Sequence, residues 1–190
     1  MKRIALVAIL ALCVAAPRTL VAQMENHVEV GAFADYYRFD RGNAVNFVGV
    51  GGRVGFYVNP FTSIEAEMGY DFARNNTTTC SNCLNTSFVT TKVRPIHGLF
   101  GPKFNLGTSK ANFFVTGKVG FVNFDNTTPS FAGAIGNVTT SGTRFAAYPG
   151  IGVEGFWGPI GLRAEVGDEL YFLGGPQNNL RVTFGPHFRF

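Results

Sequence analysis

Cysteine is scarce in this chain of 190 residues: there are three, and one of them, Cys13, lies in the apolar stretch at the N-terminus. Histidine is equally scarce, at three, and no His-x-Ser pair occurs. After residue 22 no stretch stays apolar for 18 residues, which excludes a helical membrane anchor. Charge of one sign does not accumulate either. Without a run of like charges or a basic patch interleaved with aromatics, nucleic acid is not an expected partner. The 24 glycines form no phosphate-binding loop, because they lie within alternating segments rather than between a strand and a helix.

What the chain does have begins with an export signal. Lys2 and Arg3 give a positive start, Ile4 to Ala16 are apolar, and Pro17 stops any helix before the small-residue site at Ala22. The apolar run is too short for a membrane-spanning helix, which needs about 20 residues. Residues 1–22 therefore read as a signal peptide cleaved before Gln23, and residues 23–190 as one domain. Leu12, just before Cys13, is not the small residue that a lipoprotein site requires. Cleavage removes Lys2, Arg3 and Arg18, so the mature chain keeps 13 of its 16 basic residues against 12 acidic ones and is close to neutral.

The mature chain is patterned with period two. From Leu180 to Phe190, Leu180, Val182, Phe184, Pro186, Phe188 and Phe190 share one face, and Arg181, Thr183, Gly185, His187 and Arg189 the other. Similar alternation runs through Val28 to Tyr37, Val48 to Val58, Ile64 to Phe72, Phe113 to Phe121, Phe145 to Val153 and Ile160 to Gly167. An eighth segment, Thr90 to Phe104, begins with Lys92 and Arg94 on one face and is expected to change phase at a bulge near Pro95, since proline cannot donate to a ladder. Charges sit inside otherwise apolar strands on the face opposite the oil. A soluble sandwich would place them outside, whereas an eight-stranded antiparallel transmembrane β-barrel shuts them in.

Connections alternate in length. Asn59-Pro60-Phe61, Leu106 to Lys110 and Trp157-Gly158-Pro159 are expected as short periplasmic turns, and 74–87, 125–143 and 168–179 as long extracellular loops. Aromatics gather near both rims: Phe56, Phe61, Phe104, Phe113, Phe156, Trp157 and Phe190 at one, Tyr36, Tyr70, Phe72, Phe121, Phe145 and Tyr171 at the other.

With its export signal, eight alternating strands, alternating connections and terminal Phe188-x-Phe190, the chain resembles the small OmpA-like and OmpX-like outer-membrane barrels of Gram-negative bacteria. The resemblance covers the mature chain but rests on a pattern rather than on fixed residues. It implies insertion by the outer-membrane assembly machinery, with Phe188 and Phe190 as the recognition signal, into outer-membrane lipid and lipopolysaccharide. No peptidoglycan-binding domain follows the barrel, so the cell-wall tether of OmpA is not implied.

The inward face is the candidate site. It offers Glu29, Asp35, Glu65, Glu67, Asp71, Glu154 and Glu165 as acids and Arg53, Lys92, Arg94, Lys118, Arg163, Arg181 and Arg189 as bases. Eight strands enclose a lumen just wide enough for side chains, and charges held there must be paired. The expectation is a lumen closed by a salt-bridge network, in a non-enzymatic protein serving envelope integrity or surface interaction. The same residues would line a narrow porin-like channel for ions or small solutes, the alternative. A lipid-modifying enzyme is third, since it needs a nucleophile, a base and an orienting acid together, and neither His97 nor His187 has a serine near it in sequence. No cofactor, metal or catalytic residue set is expected.

The long loops are rich in Asn, Thr and Ser, and a surface ligand or host molecule would meet them there. Cys80 and Cys83 lie in the first of these three loops. A disulfide is the expected state outside the inner membrane. A metal site would want two more ligands, and a redox motif would need neighbours that lower a thiol pKa.

Overall fold

The structure, a computed structural model, describes residues 27–39, 45–79, 88–107, 110–127, 142–172 and 174–190. Its regular elements are β1 (Val28–Phe39), β2 (Val45–Asn59), β3 (Thr62–Asp71), β4 (Arg74–Thr79), β5 (Phe88–Asn105), β6 (Ala111–Thr127), β7 (Gly142–Trp157), β8 (Ile160–Asp168), β9 (Leu170–Phe172), β10 (Pro176–Gln177) and β11 (Asn179–Arg189). Eight of them close a ring. The order β1, β2, β3, β5, β6, β7, β8, β11 returns to β1, where Glu29 faces Arg189 and Phe39 faces Asn179. Every barrel strand thus has an antiparallel neighbour on each side, the condition for burying backbone in lipid.

Period-two alternation decides which side chains enter the ring. Val50, Phe56, Met68, Phe100, Ile151 and Phe184 point outward and are more than half exposed, as a lipid-facing wall requires. Their sequence neighbours are buried in the lumen. The two-residue hairpin at Trp157↔Ile160 places Gly158 at φ 67°, a conformation glycine adopts without Cβ strain at the first position of a tight turn.

The expected bulge at Pro95 is absent. β5 pairs with β6 in one register from Lys92↔Thr127 to Asn105↔Phe114. The irregularity lies on the facing strand instead: between Tyr70↔Ile96 and Arg74↔Val93, three residues of the β3–β4 segment oppose two of β5. Pro95 stands at that interruption, where no partner asks for its missing N–H. Alternation in β5 is therefore unbroken, and Val93, Pro95, His97, Leu99, Gly101, Lys103 and Asn105 face inward. Lys92 and Arg94 consequently face outward, correcting their expected place in the lumen.

Two expected loops contain strands that extend the barrel wall. β4 pairs with the outer half of β5, so the segment 74–87 begins as strand. The segment 168–179 is a hairpin in which β9 continues β8 along β7, Tyr171 facing Ala146, and β10 continues β11, Pro176 facing Phe172. Gly174 and Gly175 at its tip both have positive φ. Cys80 and Cys83 lie outside the described residues.

Most expected girdle aromatics do face outward, but two do not. Phe156 is buried in the lumen near the short-turn end, stacked on His187 with ring centroids 4.5 Å apart. Tyr171 is buried at the long-loop end, stacked on Phe39 at 6.0 Å. Both obey strand parity: Phe156 lies two residues from inward Glu154, and Tyr171 continues the inward series Gly161, Arg163, Glu165, Gly167, Glu169. Tyr171 joins Tyr37, Phe39, Phe47, Val122 and Phe124 in an apolar cluster inside the long-loop end.

Candidate functional site: the lumen charge network

The charged side chains inside the ring meet in three layers. Nearest the short turns, Lys103 Nζ on β5 donates to Glu29 Oε2 of β1 (3.1 Å) and Glu154 Oε2 of β7 (2.9 Å). Tyr57 Oη adds a hydrogen bond to Glu29 Oε2 at 2.8 Å. Arg163 of β8 grips Glu65 of β3 through Nη1–Oε1 (2.6 Å) and Nη2–Oε2 (3.0 Å), the bidentate geometry that makes arginine–carboxylate pairs strong. Its guanidinium carbon lies 4.1 Å from the centre of the Phe114 ring.

In the middle, Lys118 Nζ donates to Glu67 Oε2 (2.6 Å) and Glu165 Oε1 (3.0 Å). Arg53 donates Nη1 to Glu165 Oε2 (2.9 Å) and Nη2 to Thr183 Oγ1 (3.0 Å). Toward the long loops, Arg181 holds Asp35 Oδ2 with Nε (2.9 Å) and Nη2 (2.7 Å), and reaches Glu67 Oε1 with Nη1 (2.7 Å). His97 bridges two carboxylates, with Nδ1 2.6 Å from Glu169 Oε1 and Nε2 2.8 Å from Asp71 Oδ2. Carboxylates only accept, so the ring that satisfies both contacts carries a proton on each nitrogen.

Glycine makes room for this. A Cβ at Gly69 would lie 3.0 Å from Asp35 Oδ2 and 3.1 Å from Arg181 Nη2, and one at Gly161 would fall 2.1 Å from His187 Nε2. The space is not reserved for charge alone, since the Phe33 ring lies over Gly51.

Of the residues expected here, Glu29, Asp35, Arg53, Glu65, Glu67, Asp71, Lys118, Glu154, Arg163, Glu165 and Arg181 are all buried inside. Arg189 is half-buried at the short-turn rim, its guanidinium 3.8 Å from the Phe156 ring centre. Lys92 is exposed, and Arg94 binds Asp125 and the Tyr70 hydroxyl on the outer surface. Lys103, His97, Glu169 and His187 belong to the site and are absent from the sequence-based set. Lys103 and His97 have the parity that the phase change expected at Pro95 would turn inward, but were not assigned to the lumen, and Glu169 was hidden by reading 168–179 as loop. The parity of Arg163 and Glu165, carried on through Asp168, would have found Glu169.

Among the described residues the lumen buries eight carboxylates and five lysine or arginine side chains. The two buried histidines are the remaining groups able to supply positive charge. A buried charge that loses its partner is strongly destabilising, so each ion pair ties together the strands that carry it. Two of these ties cross the lumen: Arg163 to Glu65 spans β8 to β3, and Arg181 to Glu67 spans β11 to β3.

The sequence model for the outer membrane protein beta-barrel domain matches residues 4–188, nearly the whole chain. The chain belongs to that family. Other outer membrane beta-barrel proteins share the fold at low identity. Neisserial surface protein A is 12% identical at a TM-score of 0.57, with 86% of this chain and 97% of that one aligned. The N-terminal barrel domain of Pseudomonas aeruginosa OprF is 12% identical at 0.53, covering 87% and 100%. Escherichia coli outer membrane protein W is 14% identical at 0.53, covering 88% and 100%. No curated protein matches the sequence. Within the outer membrane beta-barrel family, the exposed apolar wall described above is the surface that meets lipid.

Proposed function

We propose that this protein is a non-enzymatic, plugged outer-membrane barrel that serves envelope integrity or surface interaction. The observation that carries the reading is the three-layer charge network, which fills the lumen at each level with ion pairs between strands that are not neighbours in the ring. A solute would have to break those pairs to pass. The chain reaches the membrane through a signal peptide, residues 1–22, cleaved before Gln23, and the exposed outward rings of Phe188 and Phe190 serve as the assembly signal. Outer-membrane lipid and lipopolysaccharide surround the wall.

The ionisable partners of the buried histidines are carboxylates, Asp71 and Glu169 for His97 and Glu29 for His187, so both rings take part in charge pairing. Surface interaction is assigned to the hairpins that extend the wall at the long-loop end. Ail of Yersinia pestis, 14% identical at a TM-score of 0.50, has been solved in complex with the heparin analogue sucrose octasulfate. In this chain the corresponding end carries Arg38, Arg74 and Lys92 as exposed bases.

The test compares a strain lacking the protein with strains restored by the full chain or by a barrel trimmed at 75–91 and 170–177. Integrity predicts that both forms restore resistance to detergent. Surface interaction predicts that only the full chain restores attachment to sulfated glycans. No defect in either assay would overturn the proposal.

A further inference from the structure

Two groups near the short-turn end of the lumen, Glu154 and His187, have coordinating atoms to spare, and Glu29 stands beside them. Glu29, Glu154 and His187 each offer one ligand atom, all within 4.8 Å of one another, and all three side chains are buried. Lys103 takes the Oε2 atom of both glutamates. The second oxygen of Glu154 has no hydrogen-bond partner in the protein, and neither does either nitrogen of His187. His187 Nδ1 lies 3.2 Å from Glu29 Oε1, yet not in line for a hydrogen bond. That spacing has another use, because two ligands bound at about 2.1 Å to one tetrahedral ion stand roughly 3.4 Å apart.

We infer that Glu29, Glu154 and His187 form a binding site for one divalent metal ion of the zinc class at the periplasmic end of the lumen. The donor set of one imidazole and two carboxylates suits such an ion, and three protein ligands leave a fourth position for water. The imidazole is already held, stacked on Phe156 and seated against Gly161, where a side chain of any size would collide with Nε2. The charge balance of the layer is favourable too: Glu29, Glu65 and Glu154 face Lys103 and Arg163, so the carboxylates outnumber the fixed cations. The ion would draw on Glu154 Oε1 and on Glu29 Oε1, replacing the long 3.5 Å contact of Arg163 Nη1 with the latter, while Lys103 keeps the opposite oxygens.

The other grouping of this kind among the described residues, Asp35, Asp71 and His97, does not qualify. Both nitrogens of His97 are engaged by carboxylates, and Arg181 already occupies Asp35. The inference about Glu29, Glu154 and His187 stands apart from the proposed surface role and is tested separately.

Folded mature protein, stripped of metal with a chelator in detergent micelles, would be titrated with zinc chloride by calorimetry. The inference predicts one ion per folded barrel, with binding at least tenfold weaker in Glu154→Gln and in His187→Gln. Heat-modifiable gel mobility shows which variants fold. X-ray absorption of the zinc-loaded wild type provides a readout that needs no variant: nitrogen and oxygen neighbours including an imidazole support the site. Absence of saturable binding, binding unchanged by both substitutions, or sulfur in the coordination shell, which would place zinc at Cys80 and Cys83, would each overturn it.

Discussion

Arg163 and Glu65 are 98 positions apart in the chain and joined by two hydrogen bonds inside the barrel, at 2.6 and 3.0 Å. The pair fastens β8 to β3 across the lumen, and Arg163 also holds Glu165 at 2.6 Å. Arg163→Met leaves both carboxylates short of a partner. The expected loss is about 3–5 kcal/mol, the range for breaking a buried pair by removing one member. Adding Glu65→Leu to that variant should restore part of it, because the stranded charge goes with it. Urea unfolding in detergent, followed through Trp157, the single tryptophan of the chain, measures both. A double-variant loss equal to the sum of the losses for Arg163→Met and Glu65→Leu alone would show that the two residues act independently.

His97 is the second test of the network. Its ring separates Asp71 from Glu169, so His97→Phe keeps a ring of similar shape and leaves two carboxylates facing an apolar group. A loss of several kcal/mol is expected. His97→Phe combined with Asp71→Asn and Glu169→Gln should recover much of it, since neutral amides carry no stranded charge. A His97→Phe barrel as stable as wild type would remove His97 from the network.

The phase of β5 is tested by two lysines. Lys103 lies fully inside and touches three glutamates, whereas Lys92 faces outward at the long-loop end. Lys103→Met should lower the urea midpoint clearly, while Lys92→Met leaves it unchanged. A clear drop in both variants would restore the phase change expected at Pro95, which would place both lysines in the lumen.

The contrast between these two residues shows what the sequence makes legible. Alternation over whole strands, as in Ile64 to Phe72 or Leu180 to Phe190, specifies the barrel because a slip of one residue would turn every charge to lipid. For that reason Glu65, Glu67, Arg163 and Arg181 were readable as lumen residues. Proline was misleading because its lack of an N–H marks an irregular ladder without saying which strand absorbs it. Here the extra residue lies between Tyr70 and Arg74 rather than beside Pro95. The segment 168–179 was read as a loop, whereas Gly174 and Gly175 mark only the tip of a hairpin and polar neighbours masked the strand parity that carries Glu169 inward. Pairing across the lumen, such as Arg163 with Glu65, depends on barrel closure and leaves no trace in local pattern.

The central claim is that the network closes the barrel. Single-channel recording of refolded mature protein in planar bilayers, with heat-modifiable mobility confirming the fold, tests it most directly. The account predicts a folded barrel without resolved current steps. Steady steps that scale with salt would contradict it and make Glu67, Lys118, Glu165 and Arg181 the lining of a conducting path.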